Sequence, residues 1–255
     1  MLPVARHDAI VSLVNGAHTV STDELVNRLG VSAETVRRDL ALLEDRGAIR
    51  RVHGGAASVV ARGSGEEASF FERTVNNQQA KAELARVAAG LVEPGQTVII
   101  DIGTTAVEVA RALPPAFHGT VVTPSLLVAA ELAGRPGIDV LVSGGRVRGG
   151  DLACANSHAK ALFADVYADL AFVGSGGVDA NAGLTDYHVD EVDVRRTIIA
   201  NSARSYVLAD SSKLGHIAPH RVCALGALAG LITENSTSPA VTAAVEEAGG
   251  VVLSA

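Results

Sequence analysis

At 255 residues, with 48% hydrophobic and 19% charged residues, the chain is too apolar to be disordered and long enough for a small domain plus one of ordinary size. Aromatics make up only 3%, so any core is built from Ala, Val, Leu and Ile, which suits an α/β domain. The formal net charge of −7 argues at first against a nucleic-acid partner, but it is unevenly divided. Up to Ala57, arginines 6, 28, 37, 38, 46, 50 and 51 balance Asp8, Asp23, Glu24, Glu34, Asp39, Glu44 and Asp45. The negative charge therefore belongs to the remainder, and the first 57 residues are neutral with their arginines gathered after residue 36. Such a module binds DNA weakly on its own. Cys154 and Cys223 have neither CxxC spacing nor a histidine partner, which excludes a disulfide framework and a structural zinc site and fits reduced thiols in a cytoplasmic protein. No charged-then-apolar leader opens the chain. Its longest apolar run, Val222 to Ile232, is too short to span a bilayer and reads as core.

A first helix is expected from about Pro3 to Val14, presenting Ile10, Leu13 and Val14 and stopping near Gly16. Ser21 with Glu24 has a capping-box pattern ahead of a second helix to Leu29, and Gly30 is placed to end it in a left-handed conformation. Gly30, Val31 and Ser32 then make a tight turn into a third helix capped by Ser32. Val36, Leu40 and Leu43 recur at helical spacing and turn Thr35, Arg37 and Arg38 outward. Guanidinium groups there can pair with phosphates or reach a guanine edge, although two arginines on a helix can equally be a solvated face. Gly47 ends the helix, and Ile49 to Ala56 reads as a hairpin turned by Gly54 and Gly55. Its Arg51 and His53 can reach phosphates or the minor groove. These are the parts of a winged helix-turn-helix. The run VSxxTVRRDLxxLExxGxIxRVHGGA, continuous from Val31 to Ala56, resembles the DNA-binding end of the DeoR/GlpR family of bacterial repressors. Ser32, Glu34, Thr35, Arg37, Arg38, Arg51 and His53 are the DNA-binding residues that this resemblance and the outward face together imply.

Residues 58–70 are Gly-, Ser- and charge-rich without periodicity and read as a linker between residues 1–57 and a second domain, 71–255. That domain opens with a helix from about Asn76 to Val92. Strands at 97–101, 121–123, 138–142, 170–173 and 205–209 follow, alternating with helices, and two apolar runs at 231–233 and 251–253 add edge strands. The alternation implies a mostly parallel sheet. Five strands run into Gly, Ser, Thr, Asp or Lys, and in open α/β sheets ligands bind beyond the carboxyl ends of the strands. Asp101, Gly103, Thr104 and Thr105, opening a helix, form the best phosphate cradle in the chain. Thr123 and Ser125, Gly144 and Gly145, and Gly174, Gly176, Gly177 and Asp179 occupy equivalent positions, as do Asp210 and Lys213. Neither GxxxxGK[ST] nor GxGxxG spacing occurs, so no nucleotide cofactor is expected.

Each of these residues has a plainer reading. Lys213 could be a surface lysine, Asp210 a cap for the following turn, and Asp101 an anchor for the backbone of its own loop. Lys81 is expected in a structural ion pair. His188 with Asp186, Asp190 and Glu191 is a polar cluster whose spacing matches no established metal-ligand pattern. His158, His216 and His220 read as surface or packing residues.

The resemblance continues through Phe71 and Lys81, the D-x-GTT loop, TPS at 123–125, SGG at 143–145, GSGGVD at 174–179, Gly183-Leu184-Thr185 and ADSSK at 209–213. Pro124 stands where the family usually has asparagine, and Ser175 also departs from its glycine loop. What the resemblance implies is a sensor domain with a fold similar to ribose-5-phosphate isomerase that binds a phosphorylated sugar. The expected protein is thus a cytoplasmic repressor of a carbohydrate-utilisation operon, without enzymatic activity, metal or membrane contact. Its expected partners are a double-stranded DNA operator and a phosphorylated-sugar effector, and it is expected to act as a homodimer or homotetramer. Two rival readings remain: a sugar-phosphate isomerase-like enzyme with an accessory DNA-binding module, and a DNA-binding protein regulated by a protein partner.

Overall fold

A computed structural model of the chain describes residues 3–17, 19–45, 48–52, 54–58, 67–234 and 238–255. The chain divides into two compact units, Met1–Ser64 and Gly65–Ala255.

The first unit comprises α1 (Pro3–Ala17), β1 (Thr19–Ser21), α2 (Thr22–Leu29), α3 (Ala33–Asp45), β2 (Ile49–Val52) and β3 (Gly55–Ser58). Ser21 caps α2 by accepting the Glu24 N–H at 3.1 Å. The reciprocal half of the expected capping box is not among its described hydrogen bonds, and the Glu24 carboxylate pairs with Arg28 instead at 2.8 Å. Gly30 has φ of +64° and donates its N–H to Val26 at 2.9 Å, closing α2 where only glycine adopts the backbone without strain. Ile10, Val14, Val20, Leu25, Val36, Leu40, Leu43, Ile49 and Ala56 then make one core. Leu13, expected with them, is only partly buried and packs at the edge. The hairpin β2–β3 pairs Val52 with Gly55, and Gly54 takes φ of +82° in the turn. A third strand joins it, because β1 pairs antiparallel with β3 in the order β1-β3-β2. Gly55 permits that approach: a Cβ there would lie 2.2 Å from the Val20 carbonyl oxygen. Three residues are too few to show periodicity, which hides β1 from the sequence pattern. Gly47 and His53 lie outside the described residues.

The second unit opens with two helices, not one. Ser69 and Glu72 cap α4 (Phe70–Val75) reciprocally, and α5 (Gln78–Ala89) follows after a break at Asn77, whose φ is +53°. Asparagine tolerates this left-handed conformation better than most side chains, so no glycine or proline marks the break. Next come β4 (Thr97–Ile100), α6 (Thr104–Ala112), β5 (Gly119–Thr123), α7 (Leu126–Leu132), β6 (Ile138–Val142), α8 (Ser157–Ala164) and β7 (Ala168–Val173). The chain continues through β8 (Gly177–Asp179), β9 (Gly183–Asp186), α9 (Val189–Ala200), β10 (Ser202–Leu208), β11 (His220–Cys223), β12 (Gly230–Thr233), α10 (Pro239–Glu247) and β13 (Val251–Ser254).

Seven of these strands form a sheet in the order β13-β12-β10-β7-β4-β5-β6, with every neighbouring pair parallel. Successive side chains point to opposite faces, so each central strand feeds two cores. Val98 and Ile100 join Leu84, Val107, Leu132 and Phe172 on the face covered by α5, α6 and α7. Ile99 joins Phe163, Val192, Val207, Ile198 and Val245 on the face covered by α8, α9 and α10. From β4 the chain builds outward through β5 to β6, then returns as β7 on the other side of β4. That reversal opens a crevice beyond the carboxyl ends of β4 and β7. The GSGGVD stretch departs from expectation: its last three residues are β8, in a small antiparallel sheet ordered β11-β9-β8. Among the described residues, no helix is long and apolar enough to cross a membrane.

Candidate functional site

The crevice between β4 and β7 is a pocket. From the end of β4 it takes Ile102, Gly103, Thr104 and Thr105; from the end of β7, Gly174 and Ser175; from the end of β10, Leu208, Asp210 and Lys213. Gly103 has φ of +119° and caps α6 without any side-chain hydrogen bond to the helix's first turn. Free N–H groups at a helix start, with the positive end of its dipole, are a place for an anion. The Lys213 side chain is half-buried and makes no hydrogen bond or ion pair with any described residue. Asp210 caps the 3-10 turn that carries Lys213, its Oδ1 accepting from Ser212 N at 3.0 Å and from Asn77 Nδ2 at 3.0 Å. It also borders the pocket.

Part of the pocket lining is a buried charge cluster. Arg195, on α9, is 2% exposed and faces three carboxylates: Asp101 at 2.5 Å, Asp186 at 2.5 Å and Glu191 at 3.6 Å. The first two hold its guanidinium firmly protonated against the cost of burial. For Asp186, burial pushes the carboxyl up, but the Arg195 charge and the Tyr187 N–H outweigh it and leave it below the ordinary range. Glu191 goes the other way: burial pushes it up to about 8, the charges of Asp186 and Asp101 add to the rise, and Arg195 and Arg148 oppose it. Asp101 accepts the Gly174 N–H at 2.9 Å. It therefore ties the end of β4 to the loop after β7, and no described hydrogen bond runs from it to its own GTT loop. Lys81 is buried and donates to the backbone carbonyls of Asn76, at 2.6 Å, and Arg73. The ion pair expected of it is replaced by this closure of the C-terminal end of α4, and burial lowers its pKa.

The remaining expected residues stand apart from the pocket. Thr123 Oγ1 accepts the Ser125 N–H at 3.0 Å, and Ser125 caps α7. Gly144 and Gly145 turn the chain with φ of +67° and +81°, and Asn156 donates to the Gly144 carbonyl at 3.1 Å. A Cβ on Gly176 would meet Asp186 Cα at 2.9 Å, and one on Gly177 the His216 carbonyl oxygen at 2.3 Å. Asp179 accepts the N–H groups of Asn181 and Ala182 in the β8–β9 turn. Gly176 and Gly177 let backbones approach closely, and none of these four glycines lines the crevice. The polar cluster around His188 is dispersed, since its ring nitrogen lies 3.4 Å from Glu67 while Asp186 and Glu191 turn to Arg195. Sequence reasoning passed over Arg195, Arg73, Arg148 and Asp151. For Arg195 a signal existed: it sits between Val192 and Ile198 at three-residue spacing, on the buried stripe of α9.

On the first unit, Ser32, Glu34, Arg37 and Arg38 are exposed on α3 and Thr35 is half-buried. Arg37 approaches Glu34 only to 3.8 Å, and Arg38 has no ion-pair partner among the described residues. Ser32 Oγ caps α3 by accepting the Thr35 N–H at 3.2 Å, and the two hydroxyls bond to each other at 2.9 Å. Asp39 points the other way, into Arg6 at 2.6 Å and His7 at 2.9 Å. Burial would raise its carboxyl pKa, but those hydrogen bonds hold it below the ordinary range. Arg51 is exposed on β2 beside this face of the hairpin.

Residues 6–61 match the DeoR-like helix-turn-helix domain and residues 76–235 the DeoR C terminal sensor domain. The chain is 31% identical over 249 residues to the HTH-type transcriptional regulator GolR of Listeria innocua, covering 98% of this chain and 97% of that one. It is 34% identical over 255 residues to the HTH-type transcriptional regulator GlpR of Haloferax volcanii, covering 99% and 98%. The glycerol-3-phosphate regulon repressor of Escherichia coli is 33% identical over 215 residues, 84% of each chain. Ribose 5-phosphate isomerase A from Methanocaldococcus jannaschii is a similar solved structure at 19% identity, covering 54% of this chain and 55% of that one; its TM-score of 0.41 is too low to bear on activity. With both domains matched in order and relatives aligned over nearly the full length, the chain belongs to the DeoR family of transcriptional regulators.

Proposed function

We propose that this regulator represses a carbohydrate-utilisation operon and is released from its operator by a phosphorylated sugar. The observation that carries this reading is Lys213, a cation without an ion-pair partner among the described residues, beside the uncapped start of α6 at the crevice. A phosphate there accepts from the first-turn N–H groups, from Thr104 and Thr105, and from the Lys213 ammonium. Asp210 and the carboxylates around it are acceptors for sugar hydroxyls. The relative named a glycerol-3-phosphate regulon repressor fits an effector carrying a phosphate ester. The pocket senses and does not turn its ligand over, and the protein works in the cytoplasm.

On DNA, α3 enters the major groove with Arg37 and Arg38, Ser32, Glu34 and Thr35 line its leading end, and Arg51 and His53 follow the backbone from the wing. One neutral module makes few contacts, so a homodimer or homotetramer supplies the affinity by holding two helices at half-site spacing. Effector binding shifts the population away from that arrangement. Allosteric couplings of about 1–3 kcal/mol change affinity roughly 5–150-fold. The test is operator release by the full chain, titrated against a panel of phosphorylated sugars and their unphosphorylated counterparts. Release by a phosphorylated member alone, with the sugar recovered unchanged, is expected. Release by the unphosphorylated sugar, or its conversion to an isomer, overturns the reading.

A further inference from the structure

The pocket already holds an anion of the protein's own. Glu67 lies just before the cap of α4 and its side chain is only 13% exposed. One carboxylate oxygen meets Arg73 Nη1 at 2.8 Å and the other lies 3.4 Å from His188 Nε2. Glu67 and Arg73 line the same crevice as Thr104 and Lys213. Arg73 is fixed on every side: Nη2 meets Asp151 at 3.2 Å, Nε donates to the Ala68 carbonyl at 3.0 Å, and the guanidinium lies 5.8 Å from the Phe70 ring centre. A guanidinium matches phosphate in bidentate geometry as well as it matches carboxylate. Arg73 thus has the chemistry of a phosphate ligand at the pocket wall, and a carboxylate occupies it. That carboxylate stands in the chain directly after residues 59–66, which connect β3 of the helix-turn-helix unit to the sensor unit.

We propose that Glu67 is a built-in competitor of the effector: it occupies Arg73 in the effector-free protein, the effector's phosphate takes Arg73 over, and the displaced Glu67 passes the event to the connecting segment. The proposal rests on the phosphorylated-effector reading of the pocket. It makes one carboxylate both a brake on ligand affinity and the first moving part of the response. Neither role needs a contact between the two units.

The experiment measures inorganic phosphate binding to the full chain by calorimetry, in wild type, Glu67→Gln, Glu67→Asp and Lys213→Ala. Glu67→Gln keeps the shape and removes the charge, so phosphate should bind about tenfold tighter, the scale of one charge-assisted contact. Glu67→Asp keeps the charge and should return the affinity towards wild type, while Lys213→Ala should lose binding. In the wild type, phosphate should also speed hydrogen exchange at the amides of Glu67, Ala68 and Ser69, a readout that needs no variant to fold. Unchanged or weaker phosphate binding in Glu67→Gln, with Lys213→Ala impaired, would overturn the competitor role and leave the phosphate site standing. Unchanged exchange at those three amides would overturn it too. Failure of both phosphate and phosphorylated sugars to bind the wild type would remove the site and the competitor together.

Discussion

In the helix-turn-helix unit Arg37, Arg38 and Arg51 stand at the surface with at most one loose contact, whereas in the sensor unit Arg195, Arg73 and Arg148 are each gripped by two or three carboxylates. The difference follows from what each unit must do. A DNA-reading surface needs guanidinium groups free to exchange water for phosphate and base edges. A ligand crevice between strand ends must first hold its own walls in place, and buried charges can do so only in pairs. Within the sensor, Lys213 lines the crevice and has no ion pair among the described residues.

The strongest way to break this comparison is to remove a structural cation. Arg195→Met would leave Asp101 and Asp186 buried without their counter-charge, and breaking a buried pair in this way ordinarily costs about 3–5 kcal/mol. All three tyrosines, at 167, 187 and 206, lie in the sensor unit, so their fluorescence in a urea titration reports that unit alone. A large fall in the midpoint is expected. A variant as stable as wild type would show that the cluster contributes little and that Arg195 is a ligand-binding group held in reserve.

Functional cations should behave in the opposite way, costing binding and not stability. Lys213→Ala should lower effector affinity by about 1.5–3 kcal/mol, roughly ten- to a hundredfold, while the urea midpoint stays put. Operator affinity without effector should also be unchanged, so the variant acts as a super-repressor at effector levels that release the wild type. Arg37→Ala and Arg38→Ala should each weaken operator binding, by about 1–3 kcal/mol where a base contact is lost. A phosphate contact would instead reduce the salt slope by about 1, uniformly across operator sequences. Wild-type operator affinity in both arginine variants would take α3 out of the groove.

The legible parts of the molecule are those where local chemistry and tertiary structure agree. Ser21, Gly30 and Ser32 mark their helix ends because caps act within one turn, and Val36, Leu40 and Leu43 point inward because a period of 3.6 has one buried face. The strands from β4 to β13 in the large sheet announce themselves as short apolar runs between helices. The helix α4 went unread because six residues are too few to show a helical period, although its Ser69–Glu72 capping box stands in the sequence. The small sheet of β8, β9 and β11 does not show in the sequence because its pairing joins residues as far apart as Asp186 and His220, which no local pattern encodes. The crevice was legible at Thr104, Thr105, Asp210 and Lys213, which follow strand ends. Its other wall was not, since Glu67, Arg73, Asp151 and Arg195 come from two helices and two loops that only the fold brings together.

One buried structural carboxyl changes charge near neutral pH for a physical reason. Glu191 is 5% exposed, and burial beside Asp186 and Asp101 pushes its carboxyl up to about 8 from an ordinary value of 4.5. In the folded chain it keeps its proton where the unfolded chain has released it, so folding takes up a proton between those two values. Stability from this group is fully present below the unfolded value and is lost as pH rises through the folded one, at about 1.4 kcal/mol per pH unit at most. Glu191→Gln replaces the neutral acid with a neutral amide that cannot ionise. Its urea midpoint relative to wild type should therefore improve steadily from about pH 4.5 to about pH 8 and level off above. Below about pH 4 the wild-type acid carries its proton in either state, so the difference there reports only the shape of the amide against the acid and sets the baseline. Parallel pH profiles of the two proteins would mean that Glu191 is ionised throughout, balanced by Arg148 and Arg195, and that the sensor pairs every one of its buried charges after all.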